Sequence, residues 1–372
     1  MFSVQLIKLG NRKKVRMGYK RCFGALVKNH DAQVFFDEMP ELQDDEILLK
    51  MEACNICTTD YQQWMGLREH QGYPFAGGHE YVGIIVEKGA RVTDYLQIGD
   101  RVGHATETCG ICPDCKAGRT SDCQHKPHIR DKGPDGFIGV KAFANYLIIK
   151  QNMAVKMSKD LTPGEACFLE PVATVCKGMR KTGVGPSDTV AVIGLGTMGS
   201  LNAQVAKTLG ANVIMFDVSE KKVARAKEMN IGPVINSKEE DPIEAIKRLT
   251  NGRGADVVVP AVGNTKAYEQ AMAMLKKESG RFLVFAAGYP KPELKIDPNE
   301  IHYKKLSIIG TGGADVQDFQ MSADLINSGR VRPKFSLEGK VIGLRNFNDA
   351  MAAAATPDSY RVTVDCQDCD IK

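Results

Sequence analysis

Thr189-Val190-Ala191-Val192-Ile193-Gly194-Leu195-Gly196-Thr197-Met198-Gly199 is the stretch that decides the fold. The apolar run Val190 to Ile193 ends in G-x-G-x-x-G, and Ser200-Leu201-Asn202-Ala203-Gln204-Val205-Ala206-Lys207 then reads as a helix. A glycine triplet alone is a weak signal. Between a buried strand and a helix it has a physical reason: glycines let the backbone turn tightly and approach a pyrophosphate, whose charge the helix N-terminus favours. Gly194, Gly196, Thr197, Met198 and Gly199 are therefore the expected phosphate loop. The next apolar run, Val213 to Phe216, ends at Asp217, close to the offset at which an acid takes the ribose hydroxyls of a dinucleotide. A carboxylate there repels a 2′-phosphate, so NAD is expected over NADP. Ser219, Lys221 and Lys222 just beyond leave NADP open, and Lys222 is counted with the cofactor residues.

Working outward, Val234-Ile235-Asn236, Val257-Val258-Val259, Phe282-Leu283-Val284-Phe285 and Leu306-Ser307-Ile308-Ile309 continue the pattern of apolar strands alternating with helices. Six such strands predict an α/β, doubly wound parallel sheet over residues 167–312. Upstream, from Ala25 to Ile149, short strands such as Glu46 to Met51 and Tyr81 to Val86 are punctuated by Gly, Pro and Asp, which predicts a β-rich domain. That domain is expected to span 22–166 and to take back the tail, 313–372. Two domains also suit 372 residues, more than one core usually serves.

Composition removes several classes of function. Hydrophobic residues make up 43% and charged residues 25%, ordinary for a globular protein. The net charge of +4 comes from 49 basic and 45 acidic residues, too balanced to argue for nucleic acid. No apolar run approaches the roughly 18 residues of a membrane span, and the N-terminus lacks the apolar stretch of a signal peptide, so a cytoplasmic protein with a small-molecule partner is expected. Residues 1–21 carry seven basic side chains with no acid before Asp31. With one Ser and two Gly they read as a solvated arm in preference to a transit peptide.

The eleven cysteines favour metal over a disulfide framework, which suits short secreted chains. Cys109-x-x-Cys112-x-x-Cys115 followed by Cys123 places four thiols within fifteen residues, the pattern of a closed structural zinc site, with disulfides or an iron–sulfur cluster as the alternatives. A second set is dispersed: Cys57 before Thr58-Thr59-Asp60, His79 after Gly77-Gly78, and Glu170 before Pro171. Catalytic zinc takes three such ligands and keeps one position open. Pro171 disfavours helical geometry at Glu170 and is expected to break the segment begun by the capping box Thr162-Pro163-Gly164-Glu165. Cys366-Gln367-Asp368-Cys369 has no partner pair and reads as two exposed thiols.

On these motifs the chain resembles the zinc-containing medium-chain dehydrogenases, in particular the sorbitol and polyol dehydrogenase branch. The matching features run in the family's order: the Cys of I-C-x-T-D at Cys57, G-H-E at Gly78-His79-Glu80, G-D-R-V at Gly99 to Val102, the four-cysteine lobe, E-P at Glu170-Pro171, and the glycine motif. The resemblance implies a GroES-like catalytic domain beside a Rossmann cofactor domain, and two zinc ions per chain. The catalytic ion is implied at Cys57 and His79 with Glu170 or Glu80, and the structural ion at Cys109, Cys112, Cys115 and Cys123. It further implies a proton relay through Thr59, hydride transfer between NAD and a secondary alcohol, and a homodimer or homotetramer joined through the cofactor domain. Zinc in such enzymes acts as a Lewis acid on the alcohol oxygen.

The acid at the third-ligand position resembles the polyol branch, which implies a polyol, cyclitol or sugar alcohol as substrate. A sugar phosphate becomes the better substrate if Arg68, Lys141 and Lys177 converge, and ketone or aldehyde reduction is a further alternative. Tyr61, Trp64 and Arg68 are candidates for the pocket or for packing. The chain departs from the family at Asn55, Thr58, Asn145 and Pro260, expected here as changes to the pocket. Two other classes fare worse. A nucleic-acid-binding zinc lobe needs basic charge, yet Lys116 and Arg119 face Asp114 and Asp122. A protein that had lost catalysis would have damaged ligands, yet Cys57, His79 and Glu170 are present.

Overall fold

The computed structural model describes residues 15–126, 131–288 and 290–369. It divides the chain into two compact units, one of Met1–Glu170, Asp315–Asn327 and Leu337–Lys372, the other of Pro171–Ala314 and Ser328–Ser336. The strands in chain order are β1 (Val15–Lys28), β2 (Asp31–Pro40), β3 (Glu46–Asn55), β4 (Glu80–Lys88), β5 (Arg101–His104), β6 (Tyr146–Lys150) and β7 (Ala154–Lys156). There follow β8 (Thr189–Ile193), β9 (Asn212–Asp217), β10 (Val234–Asn236), β11 (Val257–Pro260), β12 (Arg281–Val284) and β13 (Ser307–Gly310), then β14 (Leu337–Gly343) and β15 (Arg361–Asp365).

The first unit is a seven-stranded sheet in the order β14-β15-β3-β4-β5-β7, with β6 also on β3. The separate antiparallel pair β1–β2 turns at His30, whose φ is 55°. Apolar side chains from the central strands, among them Ile47, Leu49, Tyr81, Ile85 and Val364, share one core with Phe347 of the tail. The second unit is a six-stranded parallel sheet in the order β10-β9-β8-β11-β12-β13, the doubly wound dinucleotide-binding arrangement. Its strands are near-continuous apolar runs because helices cover both faces of such a sheet. Ala191, Ile214, Phe216, Val258 and Phe282 make its core. Among the described residues no helix is long and apolar enough to cross a membrane.

Three expectations change. Residues 1–14 of the basic N-terminal arm lie outside the described residues, and from Val15 the chain is strand. Arg21 is not solvated there: it donates to both carboxylate oxygens of Asp37 at 2.8 and 2.5 Å. The terminal thiols are not exposed either. Cys366 is buried, and Cys369 forms a disulfide with Cys22, 347 residues away in sequence. Finally, Glu170 is helical. The break falls between the short helix Pro163–Ala166 and the helix Leu169–Thr182, so Pro171 sits in a first turn, where its missing N–H costs nothing.

Candidate active site

The four-cysteine lobe is built locally. Cys112 caps the short helix Pro113–Lys116, and Cys109 and Cys123 flank it. The Cys109 Sγ lies 3.9 Å from that of Cys115 and 3.6 Å from that of Cys123. Four thiolates about 2.3 Å from one tetrahedral ion stand about 3.8 Å apart, whereas disulfide sulfurs are about 2 Å apart, so the spacing fits a metal. Backbone N–H groups of Cys109 and Cys112 point at the Cys123 and Cys109 sulfurs, as thiolates require. The lobe is tied to the helix Val316–Asn327 by Ser121 N–H to Asp315 at 2.8 Å and Val316 N–H to Thr120 at 2.8 Å.

The dispersed site needs four separate elements. Cys57 is the N-cap of the helix Thr58–Trp64, and Asp60 in its first turn accepts the Cys57 N–H at 2.9 Å. His79 follows Gly78, which has φ +92° and on which a Cβ would stand 3.1 Å from the Phe143 nitrogen. Only glycine suits both conditions. Glu80 opens β4, and Glu170 opens its helix. Ligand atoms of Cys57, His79 and Glu80 all lie within 4.8 Å of one another. Both Glu80 oxygens, however, are held by Arg361 at 2.7 to 3.1 Å, and the same guanidinium lies 3.3 Å from the Cys57 sulfur.

Charge around His79 shows what this set lacks. Burial lowers its pKa, but the charges of Cys57, Asp60 and Glu170 raise it well above the usual value. An imidazole driven to hold a proton marks a cluster of anionic donors that calls for a cation, as the ligand set for zinc does. Burial pushes the Glu170 carboxyl up to about 7, opposed by His79 and reinforced by Glu80. Burial also raises Asp60, against the opposing charge of His79, whose Nδ1 is 4.0 Å from the Asp60 carboxylate.

A cavity of about 820 Å³ opens beside these groups, lined by Thr59, His79, Glu170, Arg68, Tyr81 and His104 among others. Of the aromatic candidates, Trp64 belongs to the core and donates to Asn348 at 3.0 Å, and Tyr61 packs against the same cluster. Lys141 is buried between Asp37 and Asp135, and Lys177 donates to the Gly312 carbonyl. Two departures from the family turn out to be structural. Asn55 bonds Gly164 and Thr363, and Asn145 bonds the backbone of β1 at Cys22 and Lys20. Asp60 and Arg361 are the residues that sequence reasoning missed. The C-x-x-D capping spacing signalled the first, and no local pattern signalled the second.

In the second unit, Gly194 has φ +87°, and a Cβ there would meet Val262 at 2.6 Å. Gly196 caps the helix Thr197–Thr208, and a Cβ on it would enter open space, the cradle a pyrophosphate needs. Asp217 accepts the Leu195 and Ser219 N–H groups at 2.5 and 2.8 Å, bringing its carboxylate against the loop.

The alcohol dehydrogenase GroES-like domain family matches residues 43–159, and the zinc-binding dehydrogenase family matches residues 197–328. An alcohol dehydrogenase of Geobacillus stearothermophilus is 32% identical over 80% of this chain and 85% of its own length. A sorbitol dehydrogenase of Halalkalibacterium halodurans is 31% identical over 83% and 90% respectively. Among solved structures, a zinc-binding dehydrogenase candidate from Sinorhizobium meliloti 1021, bound to NADP, superposes with a TM-score of 0.81 at 27% identity, covering 93% of this chain and 99% of that one. With the ligand clusters and the glycine cradle in place, these likenesses make the chain a member of the zinc-dependent medium-chain alcohol and polyol dehydrogenases, an oxidoreductase using a nicotinamide cofactor.

Proposed function

We propose that the chain oxidises a secondary hydroxyl of a polyol, cyclitol or sugar alcohol with NAD, at a zinc held by Cys57, His79 and Glu170. The observation that carries this reading is the state of the two acids. Glu80 has both oxygens on Arg361, whereas the Glu170 carboxylate makes no hydrogen bond among the described residues and lines the cavity with His79 and Thr59. A zinc bound there supplies Lewis-acid charge that favours loss of the alcohol proton. Thr59 lines the cavity two residues after Cys57, and we assign its hydroxyl the role of taking that proton and passing it to water or the cofactor ribose. Asp60 fixes the Cys57 backbone and faces His79 Nδ1, orienting the imidazole, a function typical of carboxylates behind metal-binding histidines. Arg361 keeps Glu80 from competing and lends positive charge to Cys57.

Cys109, Cys112, Cys115 and Cys123 would hold a second zinc, with no position left for substrate. Asp217 favours NAD, since its buried carboxylate beside the loop repels a 2′-phosphate. A polyol is preferred to a sugar phosphate because Lys141 is already held by Asp37 and Asp135. We keep a homodimer or homotetramer joined through the cofactor domain as the assembly, a reading supported by β13, the edge strand of its sheet, whose Ser307, Ile308 and Gly310 are exposed. We place the protein in the cytoplasm. The test is a zinc count on the purified protein, followed by reduced-cofactor absorbance with NAD or NADP against polyols, cyclitols, sugar phosphates and simple alcohols. Two zinc ions and NAD-linked turnover of a polyol are expected. One zinc with no cofactor binding would sink the reading.

A further inference from the structure

Tyr81 and His104 lie on adjacent antiparallel strands, one residue beyond the Val82–Gly103 pair. Their rings stack with centroids 4.2 Å apart and planes 3° from parallel. Tyr81 is 3% exposed, and both residues line the cavity that His79 and Glu170 also line. Leu147, Ile149 and Met153 form the adjoining apolar wall. Among the described residues neither the Tyr81 hydroxyl nor a ring nitrogen of His104 makes a hydrogen bond. Neither is among the buried unpartnered polar atoms of the described residues, so both open onto the cavity that the two rings line. A ligand entering there meets a polar atom on each ring. An imidazole and a phenol both offer hydrogen-bonding capacity at the ring edge, which suits a second hydroxyl.

We propose that the stacked Tyr81–His104 pair is the specificity element of the cavity, binding a hydroxyl next to the one that is oxidised and so selecting a diol over a mono-alcohol. This rests on the alcohol-oxidation reading above. A site built to bond a hydroxyl rejects the analogue lacking it far more strongly than an apolar pocket does, because its own polar groups are then stranded.

The experiment compares butane-2,3-diol with butan-2-ol, which share a carbon skeleton. It uses the zinc-loaded wild type, Tyr81→Phe and His104→Phe, the last two keeping a ring to stack. Both kcat/KM and calorimetric affinity in the presence of NADH, where nothing turns over, are read. The wild type should prefer the diol by about 100-fold, and each variant should lose about tenfold on the diol while staying within about twofold on butan-2-ol. The ligand-free Tm of Tyr81→Phe should not fall, since the hydroxyl it removes has no protein partner. Equal losses on both alcohols, unchanged values on both, or a lowered Tm would each overturn the proposal. A wild type that oxidises neither alcohol yet binds the diol more tightly, with the difference lost in Tyr81→Phe, would uphold this pair and overturn the oxidation reading. A wild type that oxidises both alike would overturn the pair alone.

Discussion

The four-cysteine lobe and the cavity around His79 present the same problem, gathering metal donors, and solve it at opposite ranges. The lobe takes all four sulfurs from Cys109 to Cys123 and organises them with one short helix and its flanking turns. The open site gathers Cys57, His79 and Glu80 beside a cavity that Glu170 lines, and Arg361, some 300 residues from Cys57 along the chain, holds Glu80 and reaches the Cys57 sulfur. A closed local site can survive changes elsewhere. An open site keeps a free position for substrate only if distant elements hold its ligands in place, so it inherits the fragility of everything that supports it.

The largest effect should come from the ligands themselves. Cys57→Ala removes one donor of the open site and should cut kcat/KM by at least about 10³-fold, several kcal/mol of transition-state stabilisation, while metal analysis still finds the lobe zinc. Cys115→Ser should do the reverse, losing the lobe ion and exposing residues 105–126 to protease while the other zinc stays. If either change emptied both sites, the contrast between them would be false.

The same contrast governed what the sequence could reveal. Spacing alone identified the lobe, because its geometry is covalently local. The cofactor loop was equally legible, since a strand, a glycine motif and a helix are consecutive in the chain. Cys57, His79 and Glu170 came from motif order. Arg361 stayed invisible, because only the pairing of β15 and β4 on either side of β3 brings it to Glu80. Asn145 was misread for a like reason: its departure from a motif suggested a change to the pocket, whereas its amide is spent on the backbone of β1. The Cys22–Cys369 bond, whose cysteines lie 347 residues apart, had no local signature.

Arg361→Met tests remote support directly. It strands the buried Glu80 carboxylate, which is 1% exposed in the pair, and breaking such a pair costs about 3 to 5 kcal/mol. Thermal melting should fall by about 10 °C, at about 2 to 4 °C per kcal/mol for a unit of this size. The lobe zinc should stay, and an unchanged Tm would mean that Glu80 is solvated in solution.

A smaller loss is expected from Cys369→Ser, which opens the Cys22–Cys369 link between the two ends of the first unit. Disulfides of long loops contribute about 2 to 4 kcal/mol, largely by restricting the unfolded chain. Strong reductant should lower the wild-type Tm toward that of the variant and leave the variant unmoved. If reductant lowered both equally, the lobe and not the disulfide would be the sensitive element.

The smallest effect, and the one that separates the two sites by pH, concerns Asp37. Burial raises its pKa, but the hydrogen bond and charge of Arg21, joined by the charge of Lys141, more than offset this and leave it below 3.8. A carboxyl depressed by folding adds stability in full above its unfolded pKa and loses it as pH falls through the lower folded value. Lys141 carries that dependence to the cavity. Its backbone N–H bonds Ala76 at 2.8 Å and that of Ala142 bonds Gly77 at 2.9 Å, fixing the turn that presents His79. Asp37→Asn should therefore melt below the wild type at pH 7, and the gap should begin to narrow as pH drops below about 4, the unfolded value, and close as pH falls through the lower folded pKa, where the wild-type carboxyl also becomes neutral. Two melting curves that stay parallel down to pH 3 would show that Asp37 is not held low, and would remove this route by which acid reaches the open site.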